Sequence, residues 1–159
     1  SKNWNLHCNE KKACVIGVKN EFINSNTKKK QDLATVFIYL SSKTERKMDL
    51  VDGEEKTYKL SEKKKIIPTL LARLPLSISL ENSPLIQIDN KNITNLKFTH
   101  CNTQFGCTAT IPINDNIINL FRSGKLLKII LRKNGGTKNF AIEFPLKGFS
   151  KSYKNLINN

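Results

Sequence analysis

The sequence has few of the side chains on which catalytic sites depend. It contains two histidines and 13 Asp and Glu residues among 159 positions. It has no Gly-x-Ser-x-Gly nucleophile motif, no phosphate-binding loop and no His-x-x-x-His pair. Acidic residues such as Asp52, Glu54 and Glu55 stand in predicted turns, and Asp89 directly before Asn90 is also typical of a turn. The sequence therefore predicts a protein that is not an enzyme and that uses no metal or other cofactor.

Long hydrophobic runs are missing as well. No apolar stretch approaches the roughly 18 residues that a membrane-spanning helix needs. The hydrophobic fraction is 38% and the mean hydropathy is −0.40, values that suggest neither a membrane protein nor a disordered chain. A chain of 159 residues can bury a sizeable core. We therefore predict one domain over residues 1–159.

Arginine is scarce although the chain is strongly basic. The net charge of +14 comes from 27 basic residues, of which only four are Arg. Phosphate-binding sites favour the planar Arg fork, and abundant Lys, Asn and Ile are also what AT-rich codons supply. Composition therefore explains much of the charge. The alternative is a site for anionic lipid or glycan, formed if three lysine clusters share one face: Lys11, Lys12, Lys28, Lys29, Lys30, Lys63, Lys64 and Lys65.

Nucleic acid is a further candidate partner for a basic chain. The lysine runs lack interleaved aromatic residues on which bases could stack, and no recognition-helix motif is present. These absences argue against nucleic acid. A basic polyanion- or nucleic-acid-binding module therefore stays only as the alternative function.

The four cysteines form two pairs with the same spacing. Cys8 and Cys14 enclose five residues, and so do Cys101 and Cys107. Repeated spacing of this kind is typical of a disulfide framework in an oxidising compartment. Of the three possible connectivities we favour the one with two local bonds, Cys8–Cys14 and Cys101–Cys107, since each pair flanks a predicted hairpin tip.

A zinc site is the alternative use of these cysteines. His7 precedes Cys8 and His100 precedes Cys101, so a Cys/His site could form from the two ends of the chain. However, zinc ligands usually follow a Cys-x2–4-Cys spacing, and adjacent residues in a strand point to opposite faces. The spacing therefore favours disulfides.

Short apolar, β-branched or alternating runs separated by turns predict an all-β sandwich of nine or ten short strands with two short helices. One helix is predicted near 115–122, ended by Gly124 in the left-handed conformation, and one at the C-terminus is capped by Ser150. The predicted strands include 15–18, 34–40, 85–89, 93–101, 107–113, 125–133 and 140–144.

Two segments before residue 85 carry particular expectations. Pro68 argues against a central strand, which predicts an irregular or edge segment, and Lys63–Lys65 are expected in a loop or at a segment end. Leu76, Ile78 and Leu80 alternate with serines, so one face of this segment is expected to be buried.

The C-terminal half resembles the invasion-associated locus B family of exported bacterial proteins. The matching pieces are Cys101–Ala109, with its Gly-Cys-x-Ala ending, the Leu120–Lys125 turn and Leu146–Phe149. Leu74–Leu80 and Ile86–Asp89 resemble a further family segment, with Ser77 and Ser83 where glycines are expected; the N-terminal half matches only through Trp4, Cys8 and Cys14.

This resemblance implies an immunoglobulin-like β-sandwich. It also implies a non-enzymatic protein that is exported to the periplasm, the cell surface or the secreted fraction, with a signal peptide removed before Ser1. Such a protein would act through surface interactions in the cell envelope or in host-cell invasion, on an unknown protein or cell-surface partner.

Overall fold

The computed structural model describes residues 3–23, 30–51 and 57–159. These residues form ten strands and two helices. The elements are β1 (Asn5–Cys8), β2 (Cys14–Ile23), β3 (Lys30–Val51), β4 (Thr57–Leu74), β5 (Leu85–Ile88), β6 (Lys91–Asn95), β7 (Lys97–Asn102), β8 (Gly106–Pro112), α1 (Asp115–Ser123), β9 (Leu126–Arg132), β10 (Asn139–Pro145) and α2 (Phe149–Ile157).

The strands form two antiparallel sheets. The larger sheet has the order β1-β2-β3-β4-β8-β7, and the smaller has the order β10-β9-β5-β6. Alternate residues of each strand are buried, as in the pattern of β9, where Leu127, Ile129 and Leu131 are at most 2% exposed. Such alternation is expected when one face of each sheet packs on a shared core. The predicted all-β sandwich with two short helices is therefore confirmed.

An aromatic cluster joins the two ends of the chain. Trp4 makes edge contacts with Phe121 of α1 and Phe149 of α2, and Phe149 stacks on Tyr153. Trp4 Nε1 donates to the Pro145 carbonyl at 2.9 Å, so its one polar atom is satisfied at the edge of the core. This cluster docks both helices against the sheets.

Both predicted helix boundaries need correction. Gly124 does not end α1 in the left-handed conformation, since its φ is −79° and its ψ is 165°. It is constrained by space instead, because a Cβ there would lie 2.5 Å from Ile88 Cγ2 and 2.9 Å from Leu146 Cδ1. The N-cap of α2 is Gly148, at φ 84°, and not Ser150.

The expectation of an irregular segment at Pro68 needs correction, because β4 runs continuously through Pro68 and pairs it with Leu40 of β3, while the ladder with β8 begins at Thr69. The Pro68 carbonyl accepts a hydrogen bond from the Ile113 amide at 2.9 Å. In an antiparallel strand the N–H and C=O positions of one residue face the same neighbour. The missing N–H therefore faces β8, which ends at Pro112, and the ladder with β3 loses no hydrogen bond.

The segment around Ile78 also differs from the prediction. Ile78 is 6% exposed, but Leu76 and Leu80 are 46% and 56% exposed. Only an isolated bridge joins Ile78 to Lys133, so the segment is not a continuous strand with one buried face. Residues 93–101 likewise divide at the buried Leu96, because β6 belongs to the smaller sheet and β7 to the larger one.

Candidate binding surfaces

The far half of the β3–β4 hairpin leaves the body of the sandwich. β2 pairs with β3 only as far as Tyr39, and β8 pairs with β4 only from Thr69 onward. Beyond these points β3 and β4 pair with each other alone. We call residues 42–51 and 57–66 the arm. At about 3.3 Å per residue, each strand of the arm is roughly 30 Å long.

Both faces of the arm are exposed wherever its side chains are described, namely at residues 42–48, 50, 51 and 59–66. A two-stranded ribbon that packs against nothing is marginally stable by itself, and exposed apolar side chains on it mark a surface for interaction. The distribution of apolar and charged residues along the arm therefore bears directly on its function.

Four exposed apolar side chains lie at the end of the arm next to residues 52–56. Met48 stands opposite Leu60 in the ladder, with Leu50 and Val51 beside them. Their exposed fractions are 65%, 54%, 53% and 45%, respectively. We call these residues the apolar tip.

Lysines lie nearer the base of the arm. Lys43 stands directly opposite Lys65, Thr44 opposite Lys64 and Glu45 opposite Lys63. We call Lys43, Lys63, Lys64 and Lys65 the lysine collar. The neighbouring Arg46 and Glu62 form an ion pair at 3.3 Å, so the four collar lysines are offset mainly by Glu45. Like charges directly opposite each other are unfavourable in a hairpin, which makes the Lys43–Lys65 position suited to an anionic partner.

The structure places the described residues of the predicted lysine clusters on three different parts of the larger sheet. Lys63–Lys65 lie inside β4 rather than in a loop, which corrects the prediction. Lys11 and Lys12 are exposed at the tip of the β1–β2 hairpin, at the end of the sheet where the arm begins. Lys30 opens β3 opposite Ile23, at the other end of the sheet, and residues 28 and 29 lie outside the described residues.

Two disulfides close the hairpins at the edges of the larger sheet. Cys8 is bonded to Cys14 across the β1–β2 hairpin, and Cys101 to Cys107 across the β7–β8 hairpin. β1 and β7 are the two edge strands, so each bond ties an edge strand to its inner neighbour. Because all four sulfurs are bonded to one another, none is a thiolate that could ligate zinc.

Asp89, the carboxylate singled out in the sequence, has a structural role. Asp89 and Asn90 have φ values of 49° and 68° and form the turn between β5 and β6. The Asp89 carboxylate accepts hydrogen bonds from the Lys125 and Leu126 amides at 3.0–3.2 Å. These bonds tie the turn to the start of β9.

Two candidate binding surfaces were not predicted from the sequence. One is the apolar tip, together with Lys43; its signal was the apolar residues on either side of Asp52-Gly53, within 48–51 and 57–60. The other is a cleft on the outer face of the larger sheet, where Arg73 lies between the rings of Phe37 and Phe105. No sequence pattern indicated that cleft, since its three main residues come from distant positions.

Two further features limit the kinds of site present. Among residues 3–23, 30–51 and 57–159, His, Cys, Asp and Glu side chains form no group of three or more that could hold a metal ion. No helix within these ranges is long and apolar enough to cross a membrane.

Fold and surfaces together define a β-sandwich with disulfide-closed edge hairpins and an exposed two-stranded arm. The chain belongs to the invasion associated locus B (IalB) protein family, whose sequence profile matches residues 4–157. The crystal structure of invasion associated protein B from Bartonella henselae is similar, with a TM-score of 0.68 over 98% of this chain and 92% of that chain. The sequence identity is 16%, so this likeness concerns the fold. No curated protein sequence matches the chain.

Proposed function

We propose that this chain is a single-domain, exported, non-enzymatic protein that acts through surface interactions, in the periplasm, on the cell surface or after secretion. Membership of the invasion-associated family supports this proposal. So do the two disulfides, because such bonds persist in oxidising compartments. Host-cell invasion and upkeep of the cell envelope are the two processes in which such a protein would act.

The single observation that carries the mode of action is the arm, with its apolar tip and lysine collar. We propose an anionic lipid surface as its partner. A glycan or nucleic acid would use the lysines but would leave the apolar tip exposed to water. A lipid bilayer uses both, because apolar side chains enter the interface while lysines remain at the level of the head groups.

The arrangement along the arm fits insertion tip first. Met48 and Lys43 are five residues apart on β3, which corresponds to roughly 16 Å at 3.3 Å per residue. Each lysine near an anionic surface contributes about 1 kcal/mol, and burial of the tip adds the hydrophobic contribution. The electrostatic contribution of the lysines decays within a Debye length, so it weakens as the salt concentration rises. The hydrophobic contribution of the apolar tip is not screened by salt in this way.

Vesicle sedimentation tests this proposal. The wild type is compared on phosphatidylglycerol-containing and purely zwitterionic vesicles across a salt series. The tip variant is Met48/Leu50/Leu60→Thr, since threonine keeps strand propensity. The collar variant is Lys43/Lys63/Lys65→Gln.

A matched control removes the same number of charges elsewhere: Lys91/Lys97/Lys138→Gln, at three exposed positions outside the arm. We expect binding to anionic vesicles only, lost in both arm variants and retained in the control. Equal weakening in control and collar variants would show that net charge alone drives association. Heparin binding that is equally strong in the wild type and the tip variant would favour a glycan as the partner instead.

Export is tested separately on the full-length gene. Cell fractionation of a tagged protein, followed by non-reducing electrophoresis, should place the oxidised protein outside the cytoplasm. A reduced, cytoplasmic protein would contradict this part of the proposal, whatever the vesicle result.

A further inference from the structure

The outer face of the larger sheet holds an arginine between two aromatic rings. Arg73 Cζ lies 5.2 Å from the centre of the Phe37 ring and 4.5 Å from that of Phe105. Phe37 comes from β3 and Phe105 from the tip of the β7–β8 hairpin. These two cation–π contacts restrict the position of the guanidinium, whose N–H donors lie in one plane and suit a planar acceptor.

Two glycines and one asparagine hold this stack in place. A Cβ at Gly17 would lie 2.8 Å from Phe37 Cδ1, so the absence of a side chain there makes room for the Phe37 ring. Gly106, at φ 79°, approaches the Leu74 carbonyl so closely that a Cβ there would clash with its oxygen. Asn102 Oδ1 accepts hydrogen bonds from the amides of residues 104 and 105, which orders the hairpin tip.

Among the side chains that the structure describes, no acidic group pairs with the Arg73 guanidinium. The Arg73 side chain makes no hydrogen bond or ion pair within this part of the chain, and its polar head contacts the two rings. Its neighbours across the ladder, Thr35 and Thr108, are uncharged. Because Arg73 is exposed, its donors face the solvent rather than a buried acceptor.

The stack opens into a cleft of about 680 Å³. Among the described residues that line it, the ionisable ones are Lys19 and Arg73, both cationic. Leu33, Leu76 and the two rings give the cleft apolar walls, while Gln104 adds a polar group. A cationic fork with apolar walls suits a ligand that combines an anion with an apolar body.

We propose that Arg73 is the anchor of a carboxylate-binding site, and that the ligand is the C-terminal carboxylate or an acidic side chain of a protein partner. A carboxylate is planar and accepts two parallel hydrogen bonds from a guanidinium held in one plane. The apolar walls receive the side chain next to the carboxylate. This site lies on the sandwich, apart from the arm, and does not depend on lipid binding.

Titration with N-acetyl-leucine, followed by NMR at the Arg73 side-chain Nε–H resonance, tests the site. N-acetyl-leucinamide, which lacks the carboxylate, serves as the paired probe. We expect a saturable shift with the acid and none with the amide. An acidic peptide whose C-terminus is amidated distinguishes side-chain carboxylates from a C-terminal one.

Two variants test the geometry. Arg73→Lys keeps the charge but loses the planar fork, and we expect roughly tenfold weaker binding. Arg46→Lys, at an arginine already paired with Glu62, is the matched control and should leave binding unchanged. The absence of saturation up to tens of millimolar would overturn the proposal, as would equal shifts with acid and amide. Tighter binding of inorganic sulfate than of the acid would overturn the choice of carboxylate.

Discussion

At the scale of single residues, two glycines illustrate different constraints. Gly124 has an ordinary φ, but there is no space for a side chain between Ile88 and Leu146. Gly135 has a φ of 74° in the β9–β10 turn, and a Cβ there would meet nothing within 4 Å. Packing therefore restricts the first position and backbone conformation the second.

We expect Gly124→Ala to lower the free energy of unfolding by about 1–3 kcal/mol, because the added methyl group overpacks the contact between α1 and β5. Gly135→Asn should be close to neutral, since asparagine tolerates the left-handed region and the site is open. Urea denaturation of both variants measures this difference. A neutral Gly124→Ala would mean that the contact relaxes freely.

Tyr153 provides a pH prediction. It is 5% exposed, and burial raises the pKa of its phenol above the usual value near 10. Because the pKa of the Tyr153 phenol is higher in the folded state, the contribution of the neutral phenol to the free energy of unfolding is fully present below about pH 10. That contribution is lost as the pH rises through the folded-state pKa. We expect the unfolding free energy to fall less over this range in Tyr153→Phe than in the wild type. The same dependence of the unfolding free energy on alkaline pH in both proteins would show that the pKa of Tyr153 is not raised in the folded state.

At the scale of elements, the arm depends on pairs across a single ladder. Lys43 stands opposite Lys65, whereas Glu45 stands opposite Lys63. Lys65→Glu converts a like-charge pair into an opposite-charge pair, and Lys63→Glu does the reverse with the same change in net charge. Each pair contributes roughly 0.2–1 kcal/mol, so the two variants should differ in the stability of the arm.

Amide hydrogen exchange along residues 42–51 and 57–66 measures this effect. We expect slower exchange in Lys65→Glu and faster exchange in Lys63→Glu. High salt should shrink the difference, because these charges are exposed. Parallel changes in both variants would show that total charge, rather than the cross-strand pairs, governs the arm.

At the scale of the whole molecule, the disulfides lie at opposite corners of the larger sheet. Cys14 adjoins Val15, opposite Tyr39, where the arm begins. Cys107 stands opposite Leu74, at the far end of β4. Both bonds span a separation of six residues, so on the chain-entropy model each stabilises by about 2 kcal/mol.

Replacing each cysteine pair by serine in turn should therefore lower the unfolding free energy by a similar amount, without unfolding the core. The two variants should differ in one local effect. Loss of the Cys101–Cys107 bond frees the hairpin tip that carries Phe105, whereas loss of the Cys8–Cys14 bond leaves it unchanged. Tryptophan fluorescence in denaturant measures the unfolding free energy. The Arg73 side-chain resonance reports the local change at the hairpin tip. Peptide mapping without reductant that found Cys8 joined to Cys101 would contradict the pairing.

The fold class was predictable from local patterns. Alternation at period two predicted β7, β8 and β10, because a strand in a sandwich buries one face, and short apolar runs next to turns predicted β2, β5 and β9. The Asn114 cap and the apolar positions after it indicated α1, since capping and helical periodicity are properties of adjacent residues. The short loops between paired cysteines indicated which sulfurs could meet.

The binding surfaces depended on tertiary structure instead. Whether neighbouring strands cover residues 42–51 and 57–66 depends on where the ladders with β2 and β8 end. The residues of the arm do not by themselves indicate those end points. Pro68 is tolerated only because its missing N–H faces the end of β8. Arg73 meets Phe37 and Phe105 through ladder register and a docked hairpin tip, contacts that join residues more than 30 positions apart and leave no periodic signal in the chain.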